Sequence, residues 1–272
     1  MNLTEEKPLV LVGAGKMGGA MLSGWLADGL SNNAVIVQDP NLSPEMAELV
    51  ERYQLRHACE PLAHVKAGVL LVAVKPQMMA TVLNGLKPYV DEETLIVSIA
   101  AGTSIATFKD VFGAEQPVVR AMPNTPAQVG RGVTGGFASS QVSAEQKALS
   151  ETLLQAVGSF HWVDLEEQID FVTAVSGSGP AYLFYMCECL AKAGEQLGLP
   201  PELAAELARG TVSGAGELLH QSELSAETLR KNVTSPGGTT AAALAALMAE
   251  DGMQPLMNAA VAAAAQRAKE LA

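Results

Sequence analysis

Two short stretches set glycines beside groups that can hold an anion. The first, Gly13-Ala14-Gly15-Lys16-Met17-Gly18, follows the apolar run PLVLVG (8–13) and opens the apolar stretch MGGAMLSGWLADGL. In a strand–turn–helix setting such a G-x-G-x-x-G turn is a dinucleotide site. Gly13 permits the tight turn, Gly15 lets backbone approach a pyrophosphate, and Gly18 lets the helix pack on the strand. The helix N-terminus supplies the anion site. Lys16 has two readings, a phosphate partner or a solvated residue at the helix start. The second stretch, VTSPGGTTAAAL (233–244), sets a proline, two glycines, a serine and three threonines before an alanine-rich helix. A helix start is satisfied by one cap. This entrance holds more than a cap requires.

Three strand ends add chemistry to the first stretch. Asp39 closes AVIVQD (34–39). There it can accept hydrogen bonds from an adenosine ribose, which favours NAD over a 2′-phosphate, or it can serve as a turn residue before Pro40. The choice between NAD and NADP stays open on these residues. AVKP (73–76) and IAAG (99–102) belong at the carboxyl edge of a sheet, where open α/β folds bind ligands. Pro76 holds Lys75 extended, and the small Ala100, Ala101 and Gly102 let a flat nicotinamide lie close to backbone. The plain alternative for Ala73, Val74, Lys75 and Pro76, as for IAAG, is a strand–loop junction.

The elements that must position these residues come in two textures. Up to about residue 163, short apolar runs alternate with helical patterns: PLVLVG, AVIVQD, VLLVAV (69–74), TLIVSIA (94–100), PVVRAM (117–122) and GVTGGFA (132–138). Several are continuously apolar, as strands buried on both faces are. Beyond Asp164 no strand is expected, and the sequence becomes three or four helices rich in Ala and Leu. In the first, Leu183, Met186, Cys187, Leu190, Ala193 and Leu197 recur at helical spacing. The second carries Gly210, Gly214 and Gly216, which mark close helix approach or a break. The expected fold is an α/β Rossmann-type N-terminal domain (1–163) with a mostly parallel sheet. An all-α C-terminal domain (164–272) follows; about 110 residues make a thin free-standing core, which points to dimerisation.

Composition narrows the partners. The 272 residues include 17 basic and 29 acidic side chains, a formal net charge of −12. That balance argues against nucleic acid, which needs clustered Lys and Arg. Apolar runs such as VLLVAV are too short to span a bilayer, and MNLTEEKPLV lacks signal-peptide features. Cys59, Cys187 and Cys189 form no disulfide framework and read as buried thiols in a reducing cytoplasm. The histidines at 57, 64, 161 and 220 have no ligand spacing, so no metal is expected. In SGSGPAY (176–182), Ser178 can cap a helix and Pro180 fits its first turn. MPNTP (122–126) reads as a fixed loop, with Asn124 a candidate pocket hydrogen-bonder.

GAGKMG, AVKP, MPNTP, SGSGPAY and NVTSPGGTT (232–240), in that order, resemble pyrroline-5-carboxylate reductase over essentially the whole chain. SPGGTT before a helix is the most specific element. The resemblance implies a Rossmann domain, a helical domain through which subunits dimerise, and NAD(P)H-dependent reduction of a cyclic imine carboxylate to L-proline. It implies dinucleotide contacts from Gly13, Ala14, Gly15, Lys16 and Met17, from Ala73 to Pro76, and from Ala100, Ala101 and Asn232. It implies substrate contacts from Ser235, Gly237, Gly238, Thr239 and Thr240, with Glu166 near the imine and Thr240 as the catalytic hydroxyl. NADPH is the family's common cofactor, with NADH possible because Asp39 departs from the small polar or basic residues usual there.

Rivals remain at this level. A β-hydroxyacid dehydrogenase needs a lysine acid–base where this chain has Leu183, and an asparagine where it has Cys187. Another NAD(P)H-dependent imine reductase differs only in ring size. A dinucleotide-sensing regulatory protein leaves SGSGPAY and SPGGTT without a purpose.

Overall fold

Runs of Val, Leu and Ile build the centre of the computed structural model, which describes residues 3–271. The strands are β1 (Leu9–Val12), β2 (Val35–Gln38), β3 (Arg56–Ala58), β4 (Val69–Val72), β5 (Leu95–Ser98), β6 (Val118–Met122), β7 (Gly132–Ala138) and β8 (Gly158–Trp162). They form one sheet of order β3-β2-β1-β4-β5-β6-β7-β8, parallel throughout except between β6 and β7. Successive side chains point to opposite faces. Leu9, Leu11, Val37 and Leu71 join Met21, Leu22 and Trp25 of α1 (Lys16–Ala27) on one face. Val10, Ile36, Leu70 and Val72 meet Leu83, Leu86, Tyr89 and Phe108 on the other. Burial on both faces is why these strands read as unbroken apolar runs.

The covering helices are α2 (Pro44–Arg52), α3 (Met79–Val82), α4 (Ile105–Phe112) and α5 (Ala144–Gln155). Ser43, Ser104 and Ser143 each accept a first-turn N–H, and Ser143 with Gln146 completes a capping box. All six expected strands form. β3 and β8 fall outside that set because both are edge strands: β3 has three residues, and β8 buries only Phe160.

The chain divides into two compact units, residues up to Gly177 together with 264–272, and Ser178–Ala263. The division lies later than the 163/164 boundary expected from texture, because α6 (Gln168–Val172) and a π-turn (Thr173–Gly177) pack into the first unit through buried Ile169 and Ala174. The second unit holds α7 (Gly179–Gln196), α8 (Pro201–Gln221), α9 (Ala226–Asn232), α10 (Thr239–Leu247) and the first half of α11 (Met253–Leu271). The last turns of α11 belong to the first unit.

Helices α7 and α8 meet where Gly194 lies against Ala204, a Cβ on the glycine falling 3.4 Å from the alanine's. α8 does not break at Gly210, Gly214 or Gly216; a Cβ there would meet nothing within the chain. Among the described residues of this unit only Ala204 and Ala208 are buried, whereas Phe184, Tyr185, Leu197 and Leu256 are exposed. Cys187 and Cys189 share that uncovered surface and Cys59 is exposed, so none is the buried thiol expected. Ser178 is already helical at φ −86 and ψ −21, because the π-turn runs straight into α7, and its side chain caps nothing. Pro180 does occupy the first turn. Among the described residues no helix is long and apolar enough to cross a membrane.

Candidate active site

The sheet reverses its winding between β1 and β4, and the carboxyl ends of those strands frame a cleft of about 420 Å³. This is where a doubly wound sheet binds ligands. Gly13 turns the chain at φ +91, a conformation a side chain would strain, and its N–H donates to the Gln38 carbonyl at 2.9 Å. Gly15 caps α1 with extended backbone and open space where a Cβ would stand. No side chain caps the start of α1, so its first N–H groups are open to a ligand's acceptors. Gly18 permits the close packing expected: a Cβ there would collide with the Gly13 carbonyl and stand 3.3 Å from the Ala73 Cβ, just past β4.

Asp39 has the expected turn setting and also lines the cleft. Its Oδ2 accepts from the Ala14 N–H and its Oδ1 from the Asn41 N–H, each at 2.8 Å. The carboxylate thus ties the glycine turn to the end of β2. Each oxygen keeps a further lone pair for a ligand. Ala14 packs into the core at 3% exposure, Met17 is half-buried, and Lys16 is exposed at the helix start. Ala73, Val74 and Lys75 line the cleft; Lys75 is extended (φ −64, ψ 145) before exposed Pro76.

Sequence reasoning missed much of the opposite wall. Gln38, Asn41, Cys59, Pro61, Met78, Thr81 and Gly85 also line the cleft. Cys59 and Pro61 follow β3, itself unforeseen. Gln38 carried a signal, the one amide in a strand of Val and Ile, and its buried Oε1 has no partner.

Beyond β5 the chain turns through Ala100, Ala101 and Gly102 into α4. The Ile99 N–H donates to the Val72 carbonyl at 3.1 Å and the Ala100 N–H to Ser98 Oγ at 3.3 Å. Glu166, expected near the imine, is engaged here: its Oε1 accepts from the Ile105 N–H at 2.8 Å and lies 3.4 Å from Arg120 Nη1. Arg120, on β6, is 4% exposed and also bonds Asp170 Oδ1 at 2.9 Å. Neither Arg120 nor Asp170 was singled out from sequence. Asn124, a candidate pocket hydrogen-bonder, is engaged within the fold: its Nδ2 donates to the Ser176 carbonyl at 3.0 Å and its Oδ1 accepts from the Val133 N–H at 2.8 Å.

The remaining expected residues lie on the second unit. Asn232 ends α9 and is exposed. Ser235, Pro236, Gly237 and Gly238 make a turn closed by Gly238 N–H to Ser235 carbonyl at 3.0 Å, with Gly237 at φ +69. Proline second and a positive-φ glycine third is type II chemistry. The Gly238 N–H is therefore engaged rather than free. Gly238 caps α10 without a side-chain bond, and the first intrahelical bond is Ala242 N–H to Gly238 carbonyl. The N–H groups of Thr239, Thr240 and Ala241 stand at an uncapped helix start. Among the described residues no three His, Cys, Asp or Glu side chains cluster as metal ligands.

Comparison with known proteins is consistent with this layout. Residues 166–271 match the family described as pyrroline-5-carboxylate reductase dimerisation, and residues 8–102 the family described as NADP oxidoreductase coenzyme F420-dependent. A pyrroline-5-carboxylate reductase of Pseudomonas aeruginosa is 41% identical over 97% of this chain and 96% of its own. One of Haemophilus influenzae is 38% identical, with 94% of each chain covered. The solved pyrroline-5-carboxylate reductase of Coxiella burnetii superposes with a TM-score of 0.89 at 36% identity, covering 98% of this chain and 99% of that one. The Plasmodium falciparum enzyme, solved with NADP bound, gives a TM-score of 0.80 at 29% identity, with 98% and 99% covered.

Proposed function

The chain belongs to the pyrroline-5-carboxylate reductase family, and from that premise we propose how its own residues carry the family's reaction. That reaction is the NAD(P)H-dependent reduction of 1-pyrroline-5-carboxylate to L-proline, the last step of proline synthesis. No finding favours a hydroxyacid dehydrogenase, for which Leu183 and Cys187 stand in the wrong places.

The cleft fits a dinucleotide: Gly15 opens onto it, α1 presents uncapped N–H groups, and Gln38 brings an unpartnered amide oxygen to the end of β2. A bound reduced nicotinamide supplies the hydride. Gly13, Gly15 and the first turn of α1, with Lys16 beside it, hold the pyrophosphate. Ala73 to Pro76 and the Ala100–Ala101 turn form the floor for the ring, and Asn232 adds a contact by resemblance. Asp39 is a poor neighbour for a 2′-phosphate, and Lys75 is the one cation among the cleft-lining residues. The resemblance implies NADPH; this geometry favours NADH.

The observation that carries the substrate reading is the α10 entrance. A type II turn holds the chain while the N–H groups of Thr239, Thr240 and Ala241 stay uncapped. They receive the substrate carboxylate, aided by a helix dipole worth roughly 0.3–1 kcal/mol when exposed and about 2 when partly buried. Ser235 and the two glycines shape the turn. Thr240 Oγ accepts from the N–H of the protonated imine. Hydride addition to the imine carbon moves the C=N π electrons onto nitrogen, giving a neutral amine that takes its next proton from water. No lysine base is needed.

The chain works as a homo-oligomer whose dimer forms through the C-terminal helices, with higher assembly compatible with it. Three free cysteines support a reducing cytoplasm. The test is loss of NADH or NADPH absorbance with pyrroline-5-carboxylate. Turnover with at least one cofactor is expected, NADH giving the higher kcat/KM. Lack of turnover with both refutes the reading.

A further inference from the structure

The geometry points to Glu166 as a positioning residue that fixes the turn from Ile99 to Ser104, and through it the seat of the nicotinamide, without touching substrate. This rests on reading Ala100 and Ala101 as the floor for that ring.

The turn is anchored at both ends and little between. At its start, Ile99 and Ala100 are bonded to Val72 and Ser98. At its end, the Ile105 N–H meets Glu166 Oε1 at 2.8 Å. In between, Gly102 at φ +68 lies so close to the last turn of α11 that a Cβ would come within 2.8 Å of the Leu271 carbonyl. Ser104 already caps α4 through the Thr107 N–H. Glu166 therefore adds an anionic acceptor at the first N–H of the helix, where the dipole favours negative charge.

Glu166 is itself held. Arg120, on a strand two places from β4, sets one guanidinium nitrogen 3.4 Å from Glu166 and the other 2.9 Å from Asp170. Arg120 and Asp170 are 4% and 8% exposed in their side chains, and the buried Arg120 Nε has no partner. Such a cluster is a poor stabiliser, since apolar side chains of similar volume often serve at least as well. What it provides is a fixed direction for the Glu166 carboxylate. Asp170, Arg120, Glu166 and the Ile105 N–H form a chain from α6 through β6 to the ring-floor turn.

Three variants separate positioning from direct contact. Glu166→Gln keeps the reach of the acceptor and removes the charge. Glu166→Asp keeps the charge and loses the reach. Glu166→Ala removes both. For Glu166→Ala the expected kcat falls about 10- to 100-fold, the scale of a small misplacement of reacting groups. The NADH dissociation constant changes less than about threefold because the pyrophosphate anchors at Gly13 and Gly15 remain. Glu166→Gln recovers most of the loss and Glu166→Asp does not; the imine KM stays level in both. The emission of bound NADH, which senses the seating of its ring, follows the same order without turnover, so this result stands apart from the reductase assay on the wild type.

The reverse order, with Glu166→Asp active and Glu166→Gln showing a raised imine KM, means direct charge contact with the imine and overturns the inference. So does a normal kcat in Glu166→Ala accompanied only by a lower Tm. If the alanine variant does not fold, the Gln and Asp variants decide alone.

Discussion

Thr240 and Asp39 are each assigned one small role that a single substitution isolates. A threonine hydroxyl is a weak acid, so the reaction proposed above assigns Thr240 to holding the imine N–H rather than supplying its proton. Losing a hydrogen bond to a charged group costs about 1.5–3 kcal/mol, so Thr240→Ala should lower kcat/KM roughly 10- to 100-fold. The pH profile should keep its shape. A loss nearer 10⁴-fold with an altered acid limb is the mark of a general acid and would reverse the assignment. Asp39 faces the cleft while its oxygens take the Ala14 and Asn41 N–H groups. Asp39→Asn keeps one acceptor and removes the charge that opposes a 2′-phosphate. The NADPH:NADH ratio of dissociation constants, measured by fluorescence titration, should shift toward NADPH by about tenfold, the effect of a like charge at close range in a partly wet site. An unchanged ratio leaves Asp39 as a turn residue only.

At the scale of elements, the central strands and the glycine turn were legible because burial on both faces writes itself as an unbroken apolar run and a strand-to-helix turn needs glycine. What lay beyond local pattern was not. β3 and β8 pair with a neighbour on one side only and carry polar residues. Arg120 is brought to Glu166 and Asp170 across a separation in sequence that no spacing rule spans. Asn124 clasps β7 to the π-turn, a role that its place in MPNTP does not announce. Lys7 and Asp91 are a similar long-range tie, 2.6 Å apart, joining the entry to β1 with the entry to β5. Burial alone would raise the Asp91 carboxyl, but the hydrogen bond from Lys7, the Thr94 hydroxyl and the ammonium charge outweigh it and hold the group below its usual range. The hydrogen bond to Asp91 raises Lys7 against the opposing effect of burial. A lowered carboxyl gives stability that is full above its unfolded value, about 3.9, and is lost as pH falls through the folded one. A raised ammonium gives stability that is full below its unfolded value, about 10.4, and is lost as pH rises through the folded one. The Tm difference between wild type and Asp91→Asn should therefore be a plateau from about pH 5 to pH 9.5 that shrinks on both sides. A difference independent of pH over that span and beyond it would assign Asp91 to turn geometry alone.

The whole molecule is uneven in a way that its assembly must resolve. The first unit has two full apolar layers, whereas the described part of the second buries only Ala204 and Ala208. Phe184, Tyr185, Leu197 and Leu256 are between 65% and 89% exposed, and covering each side chain of that size is worth about 1.5–3 kcal/mol. Gly210 and Gly214, one helical turn apart on α8, face open space within the chain, so a second helix can come close there. A patch of this extent on a lone protomer marks a protein–protein surface. Sedimentation should accordingly find the wild type as a dimer or a larger even assembly at micromolar concentration. Phe184→Glu and Leu256→Glu each put a charge where the partner must desolvate it, and should shift the chain toward monomer. The helical signal should then fall before the Rossmann unit melts, since the sheet keeps its core while the helices lose theirs. A wild-type chain that sediments as a monomer with both units melting together would contradict this, because the second unit would then be stable with its apolar side chains in water.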